Sequence, residues 1–254
     1  MRRVFTFVIL AFLLGPFLAV AWIGFTDPDG AFTLDFAARA LTVGRLLPAL
    51  GVSCAVAAVV ATLQLVLGAP LAWWVATSTG RTRTVARGLL LVAALVPQES
   101  LLVPLFEISV KVGLDDTLLG LVLPQVANAF AVLFLVEAFA AVPKSLVEAA
   151  RIDGCSEVDI FRKVALPSAA PALSTAAVLG FLSSYAAFMW PLVVLRDASI
   201  RTVPVALADL VGAFSADRRA FAAAAVIAAV PSALLYFLAQ KHVRVGISSG
   251  AVKG

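Results

Sequence analysis

The residues able to do chemistry in this chain are few, and the densest group lies between Pro143 and Pro171, reading PKSLVEAARIDGCSEVDIFRKVALPSAAP. What they offer is charge pairing and a rigid shape, not bond making. Leu146, Ala149 and Ala150 fall on one helical face, with Glu148 and Arg151 beside them at pairing distance. Pro143 suits a first helical turn, and Gly154 suits the left-handed conformation that ends a helix. Ser156 followed by Asp159 resembles a capping box for a second short helix, which Pro167 is expected to stop. The spacing predicts helix, glycine turn, helix, with charges outside and small or branched apolar residues inside. An amphipathic connector on a membrane surface is the plain alternative. A DNA-binding helix-turn-helix is disfavoured by the apolar runs on both sides.

Covalent catalysis finds no support elsewhere. No GxxxxGK[ST] phosphate loop occurs, so the chain is not expected to bind ATP itself. The single histidine, His242, sits among Lys241 and Arg244 with no second ligand near it, which leaves no metal site. Cys54 and Cys155 lie far apart and give no disulfide framework; both read as small apolar filler. A chain so equipped moves something or holds something; it is not expected to be an enzyme.

The elements that must position the polar loop are membrane spans. With 62% hydrophobic residues, 13% charged and a mean hydropathy of +1.05, the 254-residue chain is an all-α integral membrane protein. A soluble domain could not clothe its exterior from such a composition. Six spans are expected, at about residues 4–25, 46–77, 85–110, 117–142, 172–195 and 219–240, forming one transmembrane domain over 1–254. The first run also admits a cleavable signal peptide, with Ala19-Val20-Ala21 as the cleavage mimic, but it is longer than a usual signal core. A bend is expected near Gly68-Ala69-Pro70, and the third span should be broken around Pro97 and Pro104. Residues 26–45 read as a loop, Lys111 to Asp116 as a tight turn, and Val203 to Phe214 as a short interfacial helix.

Both termini inside, with the 143–171 loop also inside, puts about twelve of the 19 Lys and Arg on the cytoplasmic face. Thr79-Gly80-Arg81-Thr82-Arg83, read as a short basic loop, is the strongest single signal. Arg196, Arg201, Arg218 and Arg219 fall outside and count against the assignment. The net charge of +4 is thus taken up by membrane topology and gives no reason to expect nucleic acid.

Glu148-Ala149-Ala150, three residues, Gly154, nine residues, then Val164-Ala165-Leu166-Pro167 resembles the EAA loop of ABC importer permeases, with Val164 in place of the usual Ile. The six-span layout, the Gly113-Leu114-Asp115-Asp116-Thr117 turn and the terminal Gly250-Ala251-Val252-Lys253-Gly254 are similar to the smaller permease subunit of maltose-type carbohydrate importers. That resemblance implies a second permease subunit, two ATPase subunits that bind ATP and Mg, an external solute-binding protein, and a bacterial or archaeal cytoplasmic membrane. It implies ATPase coupling by Glu148, Ala149, Ala150, Asp153, Gly154, Leu166 and Pro167, and ATPase contact by the tail. Ser248 to Gly254 also admits a frayed end.

A sugar presents hydroxyl edges and C–H faces, so a solute path would use polar groups and aromatic rings. Gln98, Glu99, Asn128, Ser184, Tyr185 and Trp190 are the candidates. Against each stands packing: serine hydroxyls bond their own helix, Trp190 can anchor at an interface, and Asn128 can join helices. The rival from another class is an ion-coupled secondary transporter, for which Glu99, Glu107 and Glu137 inside apolar runs speak.

Overall fold

The computed structural model describes residues 2–42, 45–213 and 217–251, with side chains undescribed at 2–4, 7, 8, 11, 198, 212, 213 and 241–251. Among the described residues the chain is all-helical, and one isolated bridge pairs Thr26 with Phe32. Fourteen α-helical segments follow: α1 (Arg2–Phe25), α2 (Asp35–Thr42), α3 (Leu46–Thr77), α4 (Gly80–Leu95), α5 (Leu102–Lys111), α6 (Leu118–Val126), α7 (Ala129–Ala140), α8 (Lys144–Ile152), α9 (Glu157–Ile160), α10 (Leu166–Ser168), α11 (Ala170–Tyr185), α12 (Met189–Val194), α13 (Val203–Ala213) and α14 (Arg218–Ala251).

Two stretches among the described residues are long and apolar enough to cross a bilayer unaided, Leu46–Thr77 and Arg218–Gln240. Three more qualify as bent pairs. Gly80–Leu95 meets Gln98–Lys111 at 84°, Leu118–Val126 meets Ala129–Ala140 at 45°, and Glu157–Ser168 meets Ala170–Tyr185 at 77°. Phe12–Phe25 is a shorter apolar helix.

Each break has a local cause. Pro97 drives Val96 to an extended conformation (ψ 116°), which no helix tolerates, and a 3₁₀ turn over Gln98–Leu101 restarts the chain. At the next break Asn128 leaves the helix (ψ 94°), and its Oδ1 accepts from the Ala131 N–H at 3.0 Å, capping α7. α3 runs unbroken through Pro70, the position at which a bend is expected. Arg81, Thr82 and Arg83 are not loop residues: Gly80 turns the chain at φ +57° and α4 begins there. The stretch read as a loop before residue 45 contains α2, whose Ala37 and Ala40 are buried.

The chain clusters into two compact units, Met1–Cys54 with Ala186–Ala233, and Ala55–Tyr185 with Leu234–Gly254. Within the first, the Val203 N–H opens α13 by donating 2.7 Å to buried Ser53 Oγ. Arg201 pairs with Asp209 at 2.8 Å, and Arg219 donates to the Thr26 carbonyl. Within the second, α7 packs against α4 and α11, and a core of Ala69, Ala72, Trp73, Leu135, Val136 and Phe139 continues into Ala150, Ile160 and Ala165. The polar loop is therefore built onto the core of that unit.

Candidate functional site

The loop's first helix ends as its glycine dictates. Asp153 is the last residue near helical angles, Gly154 takes φ +79°, and two reversed bonds close the end. The Gly154 N–H donates to the Arg151 carbonyl and the Cys155 N–H to the Ala150 carbonyl, both at 3.0 Å, which is a Schellman ending. A β-branched residue at Gly154 would carry about 1–2 kcal/mol of backbone strain. Gly154→Val is accordingly expected to lower the thermal midpoint by a few degrees, and an unchanged melting curve would contradict a required left-handed turn.

The second helix opens on Ser156, whose Oγ accepts from the Asp159 N–H at 3.2 Å and donates to Asp159 Oδ2 at 2.5 Å. The capping pair is made, although the carboxylate takes the hydroxyl and not the cap's own backbone N–H. Lys163, 2.7 Å away, and Ser156 hold the Asp159 carboxyl down to about 2. Because that value is depressed from 3.8, the contribution is present above pH 3.8 and disappears as pH falls through about 2.

Pro167 does not stop this helix. A π turn over Phe161–Ala165, in which the Leu166 N–H donates to the Phe161 carbonyl, widens the spiral ahead of it. Pro167 then sits in the first turn of α10, where its missing N–H costs least, and the chain bends at Ala169. The inward face of α8 also differs from the sequence expectation. Ala150 is buried at 9% exposure and Val147 packs on the same core, but Leu146 and Ala149 point outward. The buried arc is centred between Val147 and Ala150, so Leu146, Ala149 and the 86%-exposed Ile152 make a separate outer stripe. Glu148 and Asp153 are exposed, Leu166 is half-buried against the core, and Pro167 is exposed.

Three aromatic rings fasten the loop to the helices above it. Trp73 of α3 meets Phe139 of α7 edge-on at 5.7 Å, and Phe161 of the π turn lies 6.3 Å from Trp73 and 6.0 Å from Phe139. These residues escaped sequence reading because lone aromatics in apolar runs look like any span filler. Their one distinguishing mark is that Phe161 falls inside the polar loop.

The solute-path candidates fall on several elements. Ser184 and Tyr185 are buried at 8% and 7%, Tyr185 stacking on Phe181 at 5.9 Å. Ser184 Oγ donates 2.9 Å to Gln125 Oε1, and Gln64 Nε2 donates 2.8 Å to the Gln125 carbonyl freed by the break after α6. Gln64, unforeseen from sequence, lies against Gly180, where a Cβ would stand 2.4 Å from Gln64 Oε1. Asn128 is a helix cap, while Gln98 and Glu99 are exposed on the 3₁₀ turn. Trp190 belongs to α12 and to the other compact unit. Glu137, one support of the ion-coupled reading, is paired with Arg87. Of the tail, Gly250 and Ala251 end α14, and Val252, Lys253 and Gly254 lie outside the described residues.

Residues 64–248 match the family described as binding-protein-dependent transport system inner membrane component. The chain belongs to this family. It is therefore a multi-pass inner-membrane protein of the ABC transporter permease class. Among curated relatives, it is 37% identical over 166 residues to the arabinooligosaccharides transport system permease protein AraQ of Halalkalibacterium halodurans, covering 65% of this chain and 60% of that protein. It is 35% identical over 196 residues to the trehalose transport system permease protein SugB of Mycobacterium tuberculosis, covering 76% and 72%. The chain thus spans about 60% of the length of the first of these relatives. A chain of the crystal structure of a bacterial ABC transporter involved in the import of alginate shares the fold, with a TM-score of 0.82, 20% identity and 94% of each chain covered.

Proposed function

We propose that this family member is the permease subunit of a binding-protein-dependent importer for a sugar or sugar-like solute, coupled through residues 143–171 to separate ATPase subunits. The observation that carries the reading is the form of α8: a short helix locked at Gly154, fastened through Ala150 and the Trp73–Phe139–Phe161 cluster, and presenting Leu146, Ala149 and Ile152 outward beside Glu148. A rigid lever with an exposed apolar stripe and an adjacent acid suits a socket on another protein. Glu148, Ala149, Ala150, Asp153, Gly154, Leu166 and Pro167 form or brace it. Closing of the ATPase pair would pull such loops together and rock the attached helices between two access states.

In this reading the chain is one transmembrane domain of six spans: α1, α3, α4 with α5, α6 with α7, α11 with α12, and α14. Both termini and the loop are cytoplasmic. Its partners are a second permease, two ATPase subunits carrying ATP and Mg, an external solute-binding protein and lipid; this chain performs no hydrolysis and binds no nucleic acid. Sugar-named relatives support the solute class. The pairing of Glu137 with Arg87 takes a free carboxylate from the ion-coupled rival.

The path is proposed to pass Gln98, Glu99, Asn128, Ser184, Tyr185 and Trp190, and the tail from Gly250 to Gly254 to reach the ATPase. Coexpression with neighbouring permease, ATPase and binding-protein frames, followed by uptake of labelled oligosaccharides, tests the reading. ATP-dependent uptake that fails without any one frame is expected, and uptake driven by an ion gradient alone would overturn it. In the same assay Glu99→Gln and Tyr185→Ala should change sugar preference severalfold, and removal of 250–254 should lower uptake. Unchanged apparent affinity in both variants would take these side chains off the path.

A further inference from the structure

We propose that the pocket between the α3–α4 turn and the inner flank of α8 is a binding site for a phosphate group. The cavity measures about 210 Å³ and is walled by Ser78, Thr79 and Arg83 on one side and by Lys144, Glu148 and Arg151 on the other. Three cations face one carboxylate. Among the described residues Arg83 and Lys144 are in no ion pair, while Arg151 is shared with Glu157 at 2.8 Å. The Thr79 side chain on this wall makes no cap bond to α4.

Size selects the ligand class. Pockets for whole drug-sized molecules run to about 300–1,000 Å³, so this one takes a compact anion and not a nucleotide or an oligosaccharide. Guanidinium and ammonium groups converging from two elements match a phosphate, to which arginine adds a bidentate fork. An acidic side chain of a docking protein is the other occupant to consider, but of the pocket's charged residues on α8 only Glu148 borders the outer stripe, while Lys144 and Arg151 lie on the far flank. Lys144, Val147, Glu148 and Arg151 recur at i, i+3, i+4 and i+7 along the pocket flank, whereas Leu146, Ala149 and Ile152 occupy the outer stripe. Binding itself does not depend on the coupling reading. Its consequence does: a phosphate bridging Arg83 and Lys144 would tie the lever to α4 and restrain its motion.

The phosphate has two possible sources, an anionic phospholipid headgroup or a free phosphate in the cytosol, and one experiment separates them. The full chain is placed in phosphatidylcholine nanodiscs, and hydrogen exchange of the α8 amides is followed while phosphatidylglycerol is added to the disc or inorganic phosphate to the buffer. Slower exchange with the lipid alone assigns the headgroup; slower exchange with phosphate in neutral discs assigns the free anion. In either case Arg83→Gln with Lys144→Gln should raise the concentration needed about thirtyfold, at roughly a factor of five per cation. Arg83→Lys with Lys144→Arg should retain most of the effect. Should the double variant not insert, Lys144→Gln alone, at an exposed position, is expected to shift the titration about fivefold. No protection by either ligand, or protection undiminished in the glutamine variants, overturns the site. Protection that appears only when an ATPase subunit is added, with neither phosphate source having any effect, also overturns it, and loss of that protection in the glutamine variants would assign the pocket to a protein carboxylate. Uptake that needs no ATPase frame, with phosphate protection intact, would sink only the proposed function.

Discussion

Glu148→Lys is expected to abolish uptake while the protein reaches the membrane in normal amount. Glu148 is exposed, so its own fold loses little when it is replaced. It stands beside the outward stripe of Leu146, Ala149 and Ile152 on a helix whose end is fixed by the Gly154 turn. A lever held that firmly cannot swing a wrong charge aside. In a desolvated docking interface, removing one member of a charge pair costs about 2–5 kcal/mol, and reversal adds repulsion. At about 3 kcal/mol, association with the ATPase subunits would weaken roughly a hundredfold. Copurification of tagged chain with its ATPase, and uptake in the same cells, give the two readouts. Ile152→Asp, which buries an acid where the stripe should seat, is expected to behave alike. Uptake at the wild-type level in both variants would remove α8 from the coupling role.

Much of this arrangement was legible in the sequence because it depends on residues with strong local rules. Gly154 could take a left-handed turn, Ser156 could cap, and Pro97 could break a span, each from its own covalent structure. The readings that failed depend on what surrounds a residue. Pro167 looked like a stop because a proline costs a helix one N–H and a clash; the π turn at Phe161–Ala165 widens the spiral just ahead of it, and no local rule announces that turn. Leu146 and Ala149 looked inward because they are apolar, yet an apolar face left outside reads in sequence like an apolar face packed on the core. The small residues hid more. Gly180 gives no sign that Gln64 packs on it, and Gln125 reads as one more polar residue until the break after α6 leaves its carbonyl to be satisfied. Pairing across elements, as in Gln64–Gln125–Ser184 or Arg87–Glu137, is a property of the assembled helices alone.

Phe161→Ala should separate the loop from the helices it moves, a larger structural effect than any surface change in the loop. Phe161 lies in the π turn and completes a triangle with Trp73 and Phe139, ring centres 6.3 and 6.0 Å away. Truncating a fully buried phenylalanine costs about 3–5 kcal/mol. Phe161 is half-buried, which puts the expected loss nearer about 2–3 kcal/mol. Part of that is the ring geometry itself, since each aromatic pair adds about 0.5–1.5 kcal/mol beyond area. Phe161→Leu keeps most of the volume and loses the ring, so it isolates this share and should cost about 1 kcal/mol. A double-mutant cycle with Phe139→Leu then measures the contact directly. A coupling energy of about 0.5–1.5 kcal/mol is expected if the rings meet as described. Function separates the linkage from simple stability. If the triangle carries motion from α8 into α3 and α7, Phe161→Ala should retain ATPase association and hydrolysis but lose most uptake, because the lever turns without the helices following. Loss of uptake only in proportion to the amount of folded protein would make the cluster a packing contact and leave Ala150, Ile160 and Ala165 to transmit the movement.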